Sequence, residues 1–403
     1  YLVKGEPETA QFKRKSDSVV PSLTRTAYDG LERPVKTTTV RSGKAVYSAS
    51  TSYGDNWTLT RPPGGAAPSV KTWTDALGRV NLIQHYTDVG LSHWRNTKYS
   101  YDARGARTTV TDPAGNIWTY TYDARGRLTD STDPDTGASS FGYDDLDRQT
   151  RVTDSLQKST YTSYDEIGRV TAVREGSTTA SPTKEFTYDM TGALGKPVSS
   201  TRHDATGDYV NKITGYDADY RATGREITIP AHANTKGLSG TYAYQYTYTP
   251  TGKPLTVTLP AIGGLAKEKV VTRYDSDGLA QSTSGLSWYT SDVTYSPYGE
   301  PLRTVSGPQP YRVWTTNFID EPSGRLQRTV WDRETTNSHR LADTYYSYDR
   351  SGNITSTARK LTDGTTSAWD NQCFTYDNLG ELVHAWTSSA AVATAGTSAR
   401  CTR

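Results

Sequence analysis

Cysteine is nearly absent from this chain: 403 residues hold two, Cys373 and Cys401. Methionine occurs once, phenylalanine five times, and hydrophobic residues make up only 33%. Two cysteines exclude a disulfide-dense scaffold. No apolar run reaches the roughly 18 residues that a spanning helix needs, which excludes a helical membrane span. Charge of one sign is also missing. The net charge is +2, basic residues are scattered singly, and Lys13-Arg14-Lys15 is the one run, read as a solvated loop. That excludes a strong electrostatic case for nucleic acid. The six histidines (His85, His93, His203, His232, His339, His384) are dispersed, with no two-His helical pair and no Cys/His cluster, so no zinc site is expected. No Gly-x-Ser-x-Gly elbow and no phosphate loop occur.

Against these absences stand 29 tyrosines and 9 tryptophans. Poor aliphatic content alone suggests disorder. The small net charge and the 11% aromatic content argue the other way. Tyrosine can replace aliphatic residues, because its ring buries apolar area while its hydroxyl stays hydrogen-bonded.

The tyrosines are periodic. Tyr-Asp begins at Tyr28, Tyr101, Tyr122, Tyr143, Tyr164, Tyr188, Tyr216, Tyr274, Tyr348 and Tyr376, ten times in all. Chance placement against the acidic frequency yields at most about three. From Tyr101 to Tyr164 the interval is 21 residues three times running. Four residues after the tyrosine stands Gly105, Gly126, Gly168, Gly192, Gly278, Gly352 or Gly380, in seven of the ten copies. Arg127 and Arg169 follow two of these glycines. Thr74-Asp75-Ala76-Leu77-Gly78-Arg79, Tyr248 to Gly252, Tyr295 to Gly299 and, more weakly, Glu321 to Arg325 are degenerate copies.

The spacing has a physical meaning. Tyrosine closes a strand, and the carboxylates of Asp102, Asp123, Asp144, Asp165, Asp189, Asp275, Asp349 and Asp377 start turns by accepting backbone N–H groups. Glycine supplies the positive φ that each turn requires. A second turn, Asp112-Pro113-Ala114-Gly115 or Asp133-Pro134-Asp135-Thr136-Gly137, lies halfway along the unit. Each unit is thus two strands and two turns. Alternation agrees: Trp118, Tyr120 and Tyr122 share one face, as do Tyr242, Tyr244, Tyr246 and Tyr248. Neighbouring hairpins bury these faces against one another, and stability accumulates from nearest-neighbour contacts. Asp275-Ser276-Asp277-Gly278 has the start of a calcium loop but lacks the distal glutamate, so it is read as turn capping.

Tyr-Asp-x-x-Gly-Arg at a 21-residue interval resembles the YD repeat of the RHS family, which includes bacterial RHS and wall-associated proteins, the C component of Tc toxins and teneurins. The resemblance extends from about Tyr28 to Leu382. It implies an all-β fold, in which one long antiparallel sheet of hairpins spirals into a hollow shell. In polymorphic toxins such a shell holds a C-terminal toxin domain. Many relatives close the repeats with an aspartyl self-cleavage motif. No match to it occurs here, so no catalytic residue is carried over.

The expected organisation is a lead-in over 1–27, a repeat shell over 28–382 (regular at 101–188, irregular at 189–347, with an insertion or loop at Pro260–Gly264), and a loop over 383–403 that includes the Ala-rich stretch 390–399. Starting with Tyr1, the chain reads as a piece of something longer. Cys373 and Cys401, both near its end, read as a local disulfide of an exported protein, against the alternative of two unrelated buried thiols. The expected role is structural: a secreted or cell-surface shell segment around its own C-terminal cargo, packed against other shell segments, without cofactor or metal and not an enzyme. The rival is a module that binds cell-wall polysaccharide through its tryptophans.

Overall fold

The structure is a computed structural model that describes residues 8–10, 20, 22–63, 67–335, 339–362, 367–388 and 401. The described residues form 31 strands of one sheet and include a short 3-10 turn at Ala233–Thr235. The recorded pairings are antiparallel and join strands adjacent in the chain, from Glu8–Ala10 against Ser22–Tyr28 to Ser367–Tyr376 against Leu382–Thr387. Hairpin follows hairpin because each turn holds the residues a tight reversal needs and no segment long enough for a crossover intervenes. No described helix is long and apolar enough to cross a membrane.

Contacts divide the chain into two compact units. One comprises Tyr1–Ser100, Val110–Asn116 and Asp292–Arg403; the other comprises Tyr101–Thr109 and Ile117–Ser291. In the second unit the two faces of the sheet differ. Along Ile117–Tyr122, Trp118, Tyr120 and Tyr122 are half-buried while Thr119 and Thr121 are exposed. Gly240–Tyr248 alternates in the same way, with its four tyrosines half-buried. On the opposite face hydroxyls meet across strands, as between Thr121 and Thr129 (3.1 Å) or Thr247 and Thr256 (2.7 Å).

The first unit carries most of the few buried apolar residues, including Val40, Leu59, Val305, Val330, Ala342 and Ala358. It also makes the longest-range contacts. The Asn378 side chain donates to the Thr87 carbonyl (2.7 Å), and Arg95 pairs with Glu381 at 3.4 Å. These fasten residues about 290 positions apart in sequence within this unit.

The region expected as loop over 383–403 needs correction. Leu382–Thr387 is a strand, in register with Gln372 to Tyr376. Its Leu-Val-His-Ala-Trp-Thr sequence suits a pleated surface, and a partner strand lies directly beside it. The Ala-rich stretch 390–399 lies outside the described residues. Upstream, pairing begins within the expected lead-in, since Ser22–Tyr28 bonds to both Glu8–Ala10 and Pro34–Arg41. In the stretch expected as an insertion or loop at 260–264, Ile262 and Leu265 close a turn by a bridge around Gly263 and Gly264.

Candidate functional site

The recurring element is the corner that begins at each Tyr-Asp. At Asp123 one carboxylate oxygen accepts the N–H groups of Arg125 (2.9 Å) and Arg127 (3.0 Å). The Asp123 N–H donates to the Arg127 carbonyl, and the Gly126 N–H returns to the Asp123 carbonyl, both at 3.0 Å. Gly126 sits at φ 82°, where a Cβ is penalised. The second carboxylate oxygen takes Arg127 Nε at 2.7 Å. Asp144 with Arg148, Asp165 with Arg169, Asp217 with Arg221, Asp75 with Arg79 and Asp29 with Arg33 repeat this pairing. The Arg127 N–H leads the causes that hold the Asp123 carboxyl below its usual range, and the Arg33 guanidinium does so for Asp29.

Each corner also grips the next. The Arg127 guanidinium lies over the Tyr143 ring, 4.9 Å from its centroid, and donates to the Asp144 carbonyl at 3.0 Å. In return the Tyr143 hydroxyl donates to the Leu128 carbonyl at 2.9 Å. Arg148 with Tyr164, Arg169 with Tyr188 and Arg221 with Tyr248 stack likewise. Those tyrosines donate to the carbonyls of Gln149, Val170 and Ala222. A bulge makes the reach possible. The ladder register shifts at Tyr122, Tyr143, Tyr164, Tyr248, Tyr274, Tyr348 and Tyr376, which re-aims the side chain at the end of its strand.

Most motif residues occupy such corners. Asp102 accepts from Arg104 and Ala106, with Gly105 at φ 91° after Tyr101. Asp275 accepts from Asp277 and Leu279, with Gly278 at φ 77°. Asp349 binds Gly352 and Asn353, and Asp377 binds Leu379 and Glu381 next to Gly380. Tyr274, Tyr348 and Tyr376 donate backwards to Pro254, Leu326 and Ile354.

Asp189 departs from the pattern. The strand Pro182–Met190 runs through it, and the hairpin closes at Met190 and Ala193 around Gly192. Asp189 itself stands at φ 67° and accepts Gly195 N–H at 2.7 Å and both Arg169 Nη atoms at 2.9 and 2.6 Å. The Arg169 guanidinium, with Gly195 second, lowers its carboxyl to about 2.

Several corner residues escaped the motif. The three Tyr-Asp copies without glycine place Glu32, Asp147 and Tyr220 at φ 60°, 63° and 59°. Arg33, Arg148 and Arg221 follow them in the same ionic role as Arg127. An arginine five residues after each of those tyrosines was the available signal. Thr249 and Ser296 supply hydroxyls where the carboxylate is missing. At the far end, Cys373 and Cys401 are disulfide-bonded with Cα atoms 5.7 Å apart, and Cys373 is fully buried. Among the described residues no group of three or more His, Cys, Asp or Glu is arranged to hold a metal.

The RHS Repeat family model matches residues 101–138, the start of the regular stretch. No curated protein sequence matches significantly. Among solved structures, TcdB2-TccC3 matches at TM-score 0.74 and 17% identity, over 90% of this chain and 20% of that one. The Photorhabdus luminescens Tc holotoxin pore with a TccC3 mutation matches at 0.74 and 16%, over 90% and 19%. The chain therefore spans about a fifth of the length of the solved chains it matches. The resemblance to the RHS/YD-repeat family is thus present in both repeat and fold: the chain carries the RHS repeat on the all-β fold that it shares with these Tc-toxin structures.

Proposed function

We propose that this chain is a wall segment of a secreted shell that encloses and shields a C-terminal toxin or effector polypeptide, and that it performs no chemistry itself. The observation that carries this proposal is the run of antiparallel hairpins in each unit, on a fold similar to that of TcdB2-TccC3. One of the similar structures is of TcdB2-TccC3 without its hypervariable C-terminal region, a segment of the kind a shell would contain. The corner ladder supports a mechanical role. Its charged groups are paired within and between corners, which stiffens the sheet and leaves little for catalysis. Limited proteolysis of the native protein with its downstream polypeptide tests the proposal. The C-terminal segment should resist protease until the wall is unfolded; immediate digestion in the native particle overturns it.

A second function, binding of cell-wall polysaccharide, has one feature in its favour. Trp94 is 47% exposed, and its ring is braced by Tyr86 at 5.9 Å. Beside it lies a hollow of about 340 Å³ lined also by Asn96, Lys98 and Asp112. An aromatic platform flanked by amide, ammonium and carboxylate groups suits a sugar face. Saturable pull-down on purified cell wall, abolished by Trp94→Ala, favours this function; unchanged binding removes it.

A further inference from the structure

Ala193–Asp204 is, at 12 residues, the longest described strand, flanked by Pro182–Met190 and Gly207–Tyr216. Near its end stands His203, opposite Asp208 across the hairpin closed by Asp204 and Gly207. Its Nδ1 lies 2.7 Å from Asp208 Oδ1, and its Nε2 lies 3.0 Å from Glu185 Oε2. One imidazole therefore touches a carboxylate on each flanking strand and ties three strands together.

Only the imidazolium carries a proton on both nitrogens. A neutral ring has one N–H, so one nitrogen lone pair must face a carboxylate lone pair, and that contact changes from attraction to repulsion. The surrounding charges do not relieve this. On the same face, Glu185 comes from one neighbouring strand and Asp208 from the other. Lys212 stands further along, in register with Ser199. Arg202 and Asp204, on the opposite face by alternation, pair with each other at 3.0 Å. Lys184 is in register with Arg202.

We propose that His203 is a proton-controlled staple: charged, it binds the Pro182–Met190 and Gly207–Tyr216 strands to the one between them, and neutral, it releases one of the two. The hydrogen bond that Asp208 accepts from the ring, reinforced by Glu185, raises the His203 pKa above its ordinary 6.5 although burial opposes it. A raised folded-state pKa fixes the sign. The staple is fully closed below the ordinary value and opens as pH rises through the raised one. The wall thus holds a local seam that is tighter in mildly acidic surroundings than in alkaline ones.

Amide hydrogen exchange of the whole chain, corrected for the intrinsic pH dependence, tests this between about pH 5.5 and about pH 8.5. Amides of Thr201 to Tyr209 should lose about threefold to tenfold protection across that interval, while those of Leu128 to Tyr143 stay level. His203→Gln should abolish the step. NMR titration of the His203 ring provides a second reading that does not require that variant to fold. Its midpoint should fall in Glu185→Gln and fall further in Asp208→Asn. Protection that does not change with pH, a step that persists in His203→Gln, or a midpoint unmoved by both carboxylate changes overturns the proposal.

Discussion

Two stretches of the sheet are held together by different means. From Tyr101 to Tyr188 the same contact set recurs, and its partners lie about 4 to 22 residues apart. From Asp292 to Thr387 the repeat loosens to the full corners at Tyr348 and Tyr376, and individual devices are added to it. Arg328 pairs bidentately with Asp343 at 2.7 and 2.5 Å, while Arg340 bridges Asp343 and Asp332. Arg312 clamps Glu334, and the Cys373–Cys401 bond and the Asn378–Thr87 contact complete the set. In the regular stretch each unit depends on its neighbours, so damage stays local. In the irregular stretch a few groups each serve several strands, so damage there spreads.

The largest expected effect belongs to the irregular stretch. Asp343→Ala leaves Arg328 and Arg340 without their shared carboxylate and should cost about 3 kcal/mol, read as a lower urea midpoint. A loss below about 1 kcal/mol would erase the contrast between the stretches. Next, Cys401→Ser opens a 28-residue loop. It should cost about 3 kcal/mol or somewhat less in the loop-entropy account, and reduction of the unaltered chain should reproduce the shift in melting temperature. Tyr164→Phe removes the hydroxyl that donates to Gln149. The cost should be about 1 kcal/mol, with faster hydrogen exchange confined to Asp144 to Gln149. Exchange that spreads past the adjacent corners would show long-range coupling in the regular stretch as well. The smallest effect is a gain. Glu32→Gly relieves a left-handed backbone and should stabilise by up to about 1 kcal/mol, whereas Gly126→Glu should do the reverse.

Much of this comparison could be read from the sequence. The alternation of Tyr120 and Tyr122 with Thr119 and Thr121 marks a strand with two unlike faces, and Asp123 with Gly126 marks its turn. The 21-residue interval identified the regular units because identical corners demand identical lengths. Other features depend on three-dimensional circumstances. Arg148 went unassigned because the motif tied arginine to a preceding glycine, whereas Asp147 tolerates the left-handed conformation at that place. The stacking of Arg127 on Tyr143 depends on a bulge, which no residue type announces. The Leu382–Thr387 strand was hidden by the Ala-rich residues that follow it. The Asn378–Thr87 bond joins two unique positions about 290 residues apart, so no periodicity could point to it.

The direction of the tyrosine bond has a consequence for biogenesis. The corner tyrosines Tyr143, Tyr164, Tyr188, Tyr248, Tyr274, Tyr348 and Tyr376 each reach back to a carbonyl synthesised earlier, as Tyr143 does to Leu128 and Tyr164 to Gln149. Nothing in such a fastening waits for a residue still to emerge. A sheet of this kind can grow vectorially, like a ratchet, each fresh hairpin clicking onto one already finished. As the polypeptide is made from its N-terminus, the growing edge is then where each next hairpin docks.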